Sequence, residues 1–383
     1  MAQKKNETKK TMNDMKRKGI LQTAFTLTTA LLLLAGCSQN DFDDGQGEPL
    51  PEGKYPMTFA TTVEGVTATR AVTAEGQWTV GDKIAVQVDS EVKEYTATNI
   101  SNNSATATLS STSPFYWQST DINVSAWYLG TGYSATPPTS TSWSWAVQPD
   151  QSETEPSNAD DNYQRSDFLY APAKDIAFEP QAGAANSLTF YHQTAKVVVN
   201  IKSTEAATDA SAIQSVVIGH EKNLSLKGAY SIPTGNNTAG TWTPATGTDD
   251  MGTIIAKKLD APGTLADGET TALASYAALV IPQQMEGKKF IAITLTDGNT
   301  YYYTPKNAEA NLQSGQQHTY DITVKYGYLE VGVSTSPLWS SSGSEEVTGN
   351  AQTVTPGTGD SGGGWTQDGN AEDVSGTEES NNP

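Results

Sequence analysis

Hydrophobic and polar residues alternate with a period of two through most of the chain between Lys54 and Trp339. In PMTFATTV, the residues Met57, Phe59, Thr61 and Val63 fall on one face. In DKIAVQVD, Ile84, Val86 and Val88 do the same, and Gly81-Asp82 turns the chain into that strand. EYTATN, SATATLSS and DINVSAWYLG continue the pattern. Side chains of a strand point alternately to its two faces, so this spacing predicts half-buried β-strands. Gly, Pro, Asn and Asp interrupt the runs about every eight to twelve residues, the spacing of an all-β sandwich or barrel. FIAITLTDGNTYYYTP carries the strongest hairpin signal, two alternating runs joined through Asp297-Gly298-Asn299. No stretch sustains a helical apolar period, although ATDASAIQSVVIG has room for one short helical turn before its strand. The fold class read from the pattern is all-β.

Both ends depart from it. Residues 1–18 hold Lys4, Lys5, Lys9, Lys10, Lys16, Arg17 and Lys18, and an apolar stretch from Ile20 to Ala35 follows. A basic region, an apolar core and then small residues make an export signal. The apolar run is short and Thr-rich for a membrane span. The sequence Leu34-Ala35-Gly36-Cys37 resembles the bacterial lipobox, which implies that Cys37 receives a diacylglycerol thioether. Cys37 is the only cysteine, so no disulfide forms within a monomer. SQNDFDDGQGEPLPEG follows, with Asp41, Asp43 and Asp44 crowding the anchor, and reads as a flexible tether. It is similar to the surface-export signal of Bacteroidota lipoproteins. Beyond Trp339 the chain is Gly-, Ser- and Thr-rich and too poor in apolar residues to order itself. Within it, WSSSGSEEVTG from Trp339 resembles WTQDGNAEDVSG from Trp365, either as a docking anchor or as chance similarity in a low-complexity segment.

The expected organisation is a signal peptide (1–36), an acidic tether (37–53), an N-terminal β-sandwich domain (54–186), a C-terminal β-sandwich domain (187–339) and a disordered tail (340–383). The seam is set at EPQAGAANS, because a new set of strands opens with LTFYHQTAKVVVNIK. Seven basic and two acidic residues precede Cys37, so the net charge of −20 becomes −25 once the signal is removed. That charge repels phosphate backbones and excludes nucleic acid as a partner.

Little in the sequence points to catalysis. GDSGGG, with Ser361, resembles a serine-protease nucleophile loop, but it lies in the polar tail without the base and backbone donors that activate a serine. His192, His220 and His318 lack zinc-ligand spacing and have no cysteine to join them. Asp160-Asp161 and Asp249-Asp250 show no EF-hand spacing. No phosphate loop or dinucleotide fingerprint is present, so the expectation is no catalytic residue, no metal, no cofactor and no enzyme.

Arg70 is the only basic residue between Lys54 and Lys83, in the seam GVTATRAVTAEGQ. It is either an exposed surface residue or a processing site. The lipobox, a strand ending in TRA, WTVGDKIAV, SDFLYA, LTFYHQTAKVVVNI, LVIPQQ, LQSGQQHTYDITVK and a strand leading to SPLW follow one another. This order resembles the fimbrillin family of Bacteroidota, the type V pilus subunits and their gut relatives, over residues 54–340. The resemblance implies two transthyretin-like β-sandwich domains and export to the outer membrane as a lipid-anchored precursor. It also implies assembly with other pilus subunits by donor-strand exchange, supporting adhesion. The strand before TR is then a plug; cleavage after Arg70 makes Ala71 the new N-terminus and releases plug and lipid. A sheet that loses a strand exposes unpaired N–H and C=O groups, and an extended segment can replace it.

Stalk subunits of the family end in an apolar donor strand, whereas residues 340–383 are polar. GYLEVGVSTSPLW, with Leu329, Val331 and Val333 alternating, reads either as that donor or as the last strand of the second domain. The alternative function is a monomeric surface lipoprotein that binds a glycan or a host protein. Trp117, Trp127, Trp143, Trp145, Tyr116, Tyr128 and Tyr133 would supply stacking surfaces for it, unless they pack in the core.

Overall fold

The alternating runs become strands in the computed structural model, which describes residues 50–64, 73–100, 105–139, 143–153, 162–202, 209–260, 262–263, 265, 271–306, 309–325, 328–336 and 345–347. The first set is β1 (Phe59–Val63), β2 (Lys83–Val88), β3 (Glu91–Thr98), β4 (Thr106–Ser110), β5 (Asp121–Leu129), β6 (Trp143–Ala146), β7 (Phe168–Ala177) and β8 (Ser187–His192). All but β6 join edge to edge in the order β1-β4-β3-β2-β5-β7-β8. A parallel pairing of β1 with β8, from Ala60↔Ser187 to Val63↔Phe190, closes the ring. The faces of the expected sandwich are thus linked through shared hydrogen bonds, and the ring has no free edge. Its interior is filled by the inward residues of the alternation, including Phe59, Ile84, Val86, Tyr95 and Phe190.

The second set is β9 (Ala195–Lys202), β10 (Ile213–Ile218), β11 (Leu224–Ser225), β12 (Lys227–Ser231), β13 (Thr241–Pro244), β14 (Met251–Gly252), β15 (Ile254–Ile255) and β16 (Lys257–Lys258). It continues with β17 (Ala274–Val280), β18 (Ile291–Leu295), β19 (Thr300–Tyr303), β20 (Gln317–Lys325), β21 (Tyr328–Ser336) and β22 (Glu345–Val347). Six strands form a sheet in the order β16-β17-β9-β20-β21-β22, and four form another in the order β15-β10-β18-β19. Val197, Val199 and Ile201 of β9 share one apolar cluster with Val216, Ile218, Ile291 and Ile293 of the four-stranded sheet. The same cluster takes in Trp127, Trp145 and Phe168 of the first set. Two smaller sheets are β13-β12-β6, where β6 leaves the first set to pair with β12, and β11-β14.

The all-β reading holds, and so does the hairpin: β18 and β19 turn through Asp297-Gly298-Asn299, with Gly298 at φ +91°, where a side chain would be strained. A 3₁₀ turn at Ala210–Ala212, capped by Asp209, precedes β10 as anticipated. A 3₁₀ turn at Thr73–Glu75 and a helix α1 (Asn162–Arg165) have no counterpart in the sequence pattern. β8, which a seam near residue 186 assigns to the second set, pairs with β7 and β1 of the first, and only Gln193 and Thr194 separate it from β9. β21 pairs with β20 along its whole length and buries Leu329, Val331 and Val333, so it takes the place of a sheet strand. The polar tail is not wholly irregular, because Glu345–Val347 pairs with β21.

Candidate functional site

The segment Leu50–Glu64 is threaded through the ring. β1 lies between β4, which runs antiparallel from Phe59↔Leu109 to Thr62↔Thr106, and the parallel β8. Ahead of it, Met57 N–H donates to Phe115 O (2.8 Å) and Trp117 N–H to Tyr55 O (2.9 Å). At its end, Val63 N–H donates to Ala105 O (2.9 Å), and just beyond it Glu64 N–H donates to Phe190 O (2.9 Å). The Asn186 side-chain amide donates to Thr58 O (2.8 Å). Met57, Phe59, Thr61 and Val63 all point inward and are buried, as their alternation requires. The Phe59 ring meets Tyr95 edge-on at 5.2 Å. Burying Met57, Phe59 and Val63 contributes roughly 5–9 kcal/mol before entropy is counted.

The chain beyond the seam is fixed by separate contacts. In the Thr73–Glu75 turn, Ala74 N–H donates to Gln164 Oε1 (3.1 Å), and Gln164 Nε2 donates to the Tyr128 hydroxyl (2.6 Å). The Tyr163 hydroxyl of α1 donates to Glu75 (2.9 Å), and the Lys196 ammonium pairs with the same carboxylate at 3.0 Å. Ala74 packs with Tyr163, Val198, Ala277 and Leu279, a cluster apart from the main core. A buried charge needs a partner, and Glu75 supplies it for Lys196. The sequence held one signal of this: a lysine inside the apolar run AKVVVNI.

Between β8 and β9, Gln193 is fully buried and stitches several elements together. Its Nε2 donates to Tyr191 O (2.9 Å) and Thr238 O (3.1 Å), and its Oε1 accepts from the Tyr230 hydroxyl and Gly240 N–H (2.9 Å each). A side chain at Gly240 would collide with the Tyr230 ring and Ser231 O. Beside it, His192 Nδ1 lies 3.0 Å from the buried Asp167 carboxylate. Gln283 of LVIPQQ clamps both backbone groups of Ser225 in the same manner. The glutamines of these motifs are therefore backbone clamps.

Residues 69–339 match the sequence model of the family described as fimbrillin-like. The chain belongs to the fimbrillin-like family. That description places the chain among fimbrial proteins of the cell surface. Among solved structures, a candidate cell adhesion protein from Bacteroides uniformis is 19% identical, with a TM-score of 0.49, over 76% of this chain and 100% of that one. The tip fimbrial protein Mfa3 from Porphyromonas gingivalis, with a C-terminal truncation, is 12% identical, with a TM-score of 0.35, over 73% and 99%. A fimbrial assembly protein from Parabacteroides distasonis is 11% identical, with a TM-score of 0.38, over 75% and 96%. No curated protein matches the chain.

In this fimbrillin-like chain, Cys37, Arg70 and Ala71 lie outside the described residues, as do Ser361, Trp339 and Trp365. The described chain ends at Glu64 on one side of the Arg70 seam and resumes at Thr73 on the other. The three histidines are apart: His220 pairs with Glu221 (2.8 Å), and His318 Nδ1 lies 3.4 Å from the Thr335 hydroxyl. Among the described residues, no group of three or more metal-binding side chains occurs. Of the aromatic residues proposed for sugar stacking, Trp117, Trp127, Tyr128 and Trp145 are buried in the core and Trp143 is half-buried. Tyr116 and Tyr133 are exposed. Tyr133 lines a groove of about 560 Å³ with Lys83, Lys93, Glu94, Thr96 and Ser110.

Proposed function

We propose that the chain is a pilus subunit, exported as an outer-membrane lipoprotein through Cys37, processed between Arg70 and Ala71, and assembled by donor-strand exchange. One observation carries this reading. β1 is a complete inner strand of the ring, with a neighbour on each side, and a single cut in the seam after it would leave it held only by non-covalent contacts. The independent anchoring of Thr73–Glu75 supports it further, because the remaining chain would keep its place when the plug leaves. The groove left behind would offer the edges of β4 and β8 to a segment of another subunit.

Limited trypsin digestion tests this. Cleavage is expected first at Arg70, without unfolding. The cleaved protein at high concentration then forms slow, concentration-dependent oligomers, while Arg70→Ala stays monomeric. Trypsin sparing Arg70, or cleaved protein remaining monomeric when a donor-bearing subunit is added, refutes the proposal.

The Tyr133 groove favours a second reading, in which the chain keeps its plug and binds a glycan or host protein as a lipid-anchored monomer. Intact mass of the protein recovered from its native cell surface separates the two. A chain beginning at Ala71 supports the pilus subunit, and a lipidated chain beginning at Cys37 supports the monomer.

A further inference from the structure

Three of the four inward side chains of the plug suit their surroundings, and one does not. Met57, Phe59 and Val63 place apolar groups among Tyr95, Leu109 and Phe190. Thr61 is 1% exposed, and its hydroxyl has no hydrogen-bond partner among the described residues. Its lateral neighbours are Ala107 on β4 and Leu188 on β8, both buried and both without a polar side-chain atom. A hydroxyl stripped of water and given no partner is destabilising, whereas valine has nearly the same shape and no such penalty.

We propose that Thr61 is a built-in mismatch that keeps the plug replaceable. The preferred occupant of the groove is an extended segment of another pilus subunit with a small apolar residue opposite Ala107 and Leu188. Larger apolar residues stand two and four positions before it, and a β-branched one stands two after, as Phe59, Met57 and Val63 do around Thr61. This rests on the strand-exchange reading above and adds to it the position that decides the exchange. Both strands would form similar backbone ladders, so the inward side chains set the difference between them. Relieving one orphaned hydroxyl corresponds to about ten-fold or more in relative occupancy.

The full mature chain, cut at Arg70, is incubated with either of two fluorescein-labelled peptides. One has the sequence PMTFATTV, and the other carries valine at the Thr61 position. Peptide uptake is followed by fluorescence anisotropy and plug release by mass spectrometry. The valine peptide is expected to occupy about ten-fold more of the protein. In the reverse arm, a Thr61→Val plug leaves about ten-fold more slowly than the wild-type plug, the uncut Thr61→Val chain melts at a higher temperature, and Thr61→Ser gives neither effect. Equal uptake of the two peptides, with unchanged release of the Thr61→Val plug, overturns the assignment of Thr61 and leaves strand exchange standing. Uptake of neither peptide after cleavage overturns strand exchange itself. In that case the melting temperature of uncut Thr61→Val still decides whether the mismatch exists.

Discussion

Replacing Gln193 by leucine keeps the side-chain volume close to its original value but removes the amide that links β8, β9 and the β12–β13 hairpin. The Tyr230 hydroxyl and the Gly240 N–H then lose their shared acceptor, and both lie where water cannot reach. Each orphaned donor costs about 1–3 kcal/mol, so Gln193→Leu should destabilise the fold by roughly 4 kcal/mol. At about 2 °C per kcal/mol, the low end for a chain of this size, Tm falls by about 8 °C. Tyr230→Phe alone removes one donor together with its bond and should cost about 1 kcal/mol. Combined with Gln193→Leu it should restore part of the loss, because the orphaned hydroxyl is gone. Calorimetry of the four proteins gives the coupling directly. A Gln193→Leu protein melting within 2 °C of wild type, or a cycle without coupling, would refute the role of Gln193 as a clamp.

Burial pushes the His318 imidazole down to about 4, well below its ordinary 6.5. The unfolded chain therefore takes up this proton first, and the stability linked to it is complete above about pH 6.5 and lost as pH falls toward about 4. Urea unfolding at pH 7 and pH 4.5 should show wild type losing about 2–3 kcal/mol more than His318→Phe; parallel losses refute this. Phe59→Ala should destabilise the uncut chain by about 3–5 kcal/mol, because it empties a buried site against Tyr95, and should let the plug leave unaided once Arg70 is cut. Size-exclusion chromatography after trypsin reads the second effect, and retention of the plug counts against it. Cys37→Ala should abolish incorporation of labelled fatty acid, and continued acylation would show that the anchor lies elsewhere.

The period-two alternation made the strands legible because it reports which side chains face inward, and Met57, Phe59, Thr61 and Val63 are inward as read. It does not report which strand lies alongside. LTFYHQTAKVVVNIK reads as the opening of one new set, yet its first half closes the ring beside β1 and only its second half enters the six-stranded sheet. Likewise, β6 lies within residues 54–186, the expected first domain, but finds its partner in β12. Long-range pairing depends on the complementarity of distant segments, which a single sequence does not display. The clamps were hidden for another reason. A glutamine such as Gln193 in a short connection looks like a solvated residue until the carbonyls around it are in place. The seam proposed for processing was the reverse case, since a lone cation in a basic-poor stretch stands out in sequence, while its surroundings from residues 65 to 72 lie outside the described residues.

The two-residue link between β8 and β9 has a mechanical consequence. β1 is bonded laterally to β8, and β8 runs almost directly into β9, at the centre of the six-stranded sheet. β9 in turn lies parallel to β20, from Gln317↔Lys196 to Thr323↔Lys202. A pull along β1 would therefore travel through ladders loaded in shear, where the bonds of each ladder resist together. Gln193 sits at the joint between the two ladders and ties it to Thr238 and Tyr230. This two-residue connection is thus the tendon of the molecule, and a fibre built from such subunits would carry tension through it.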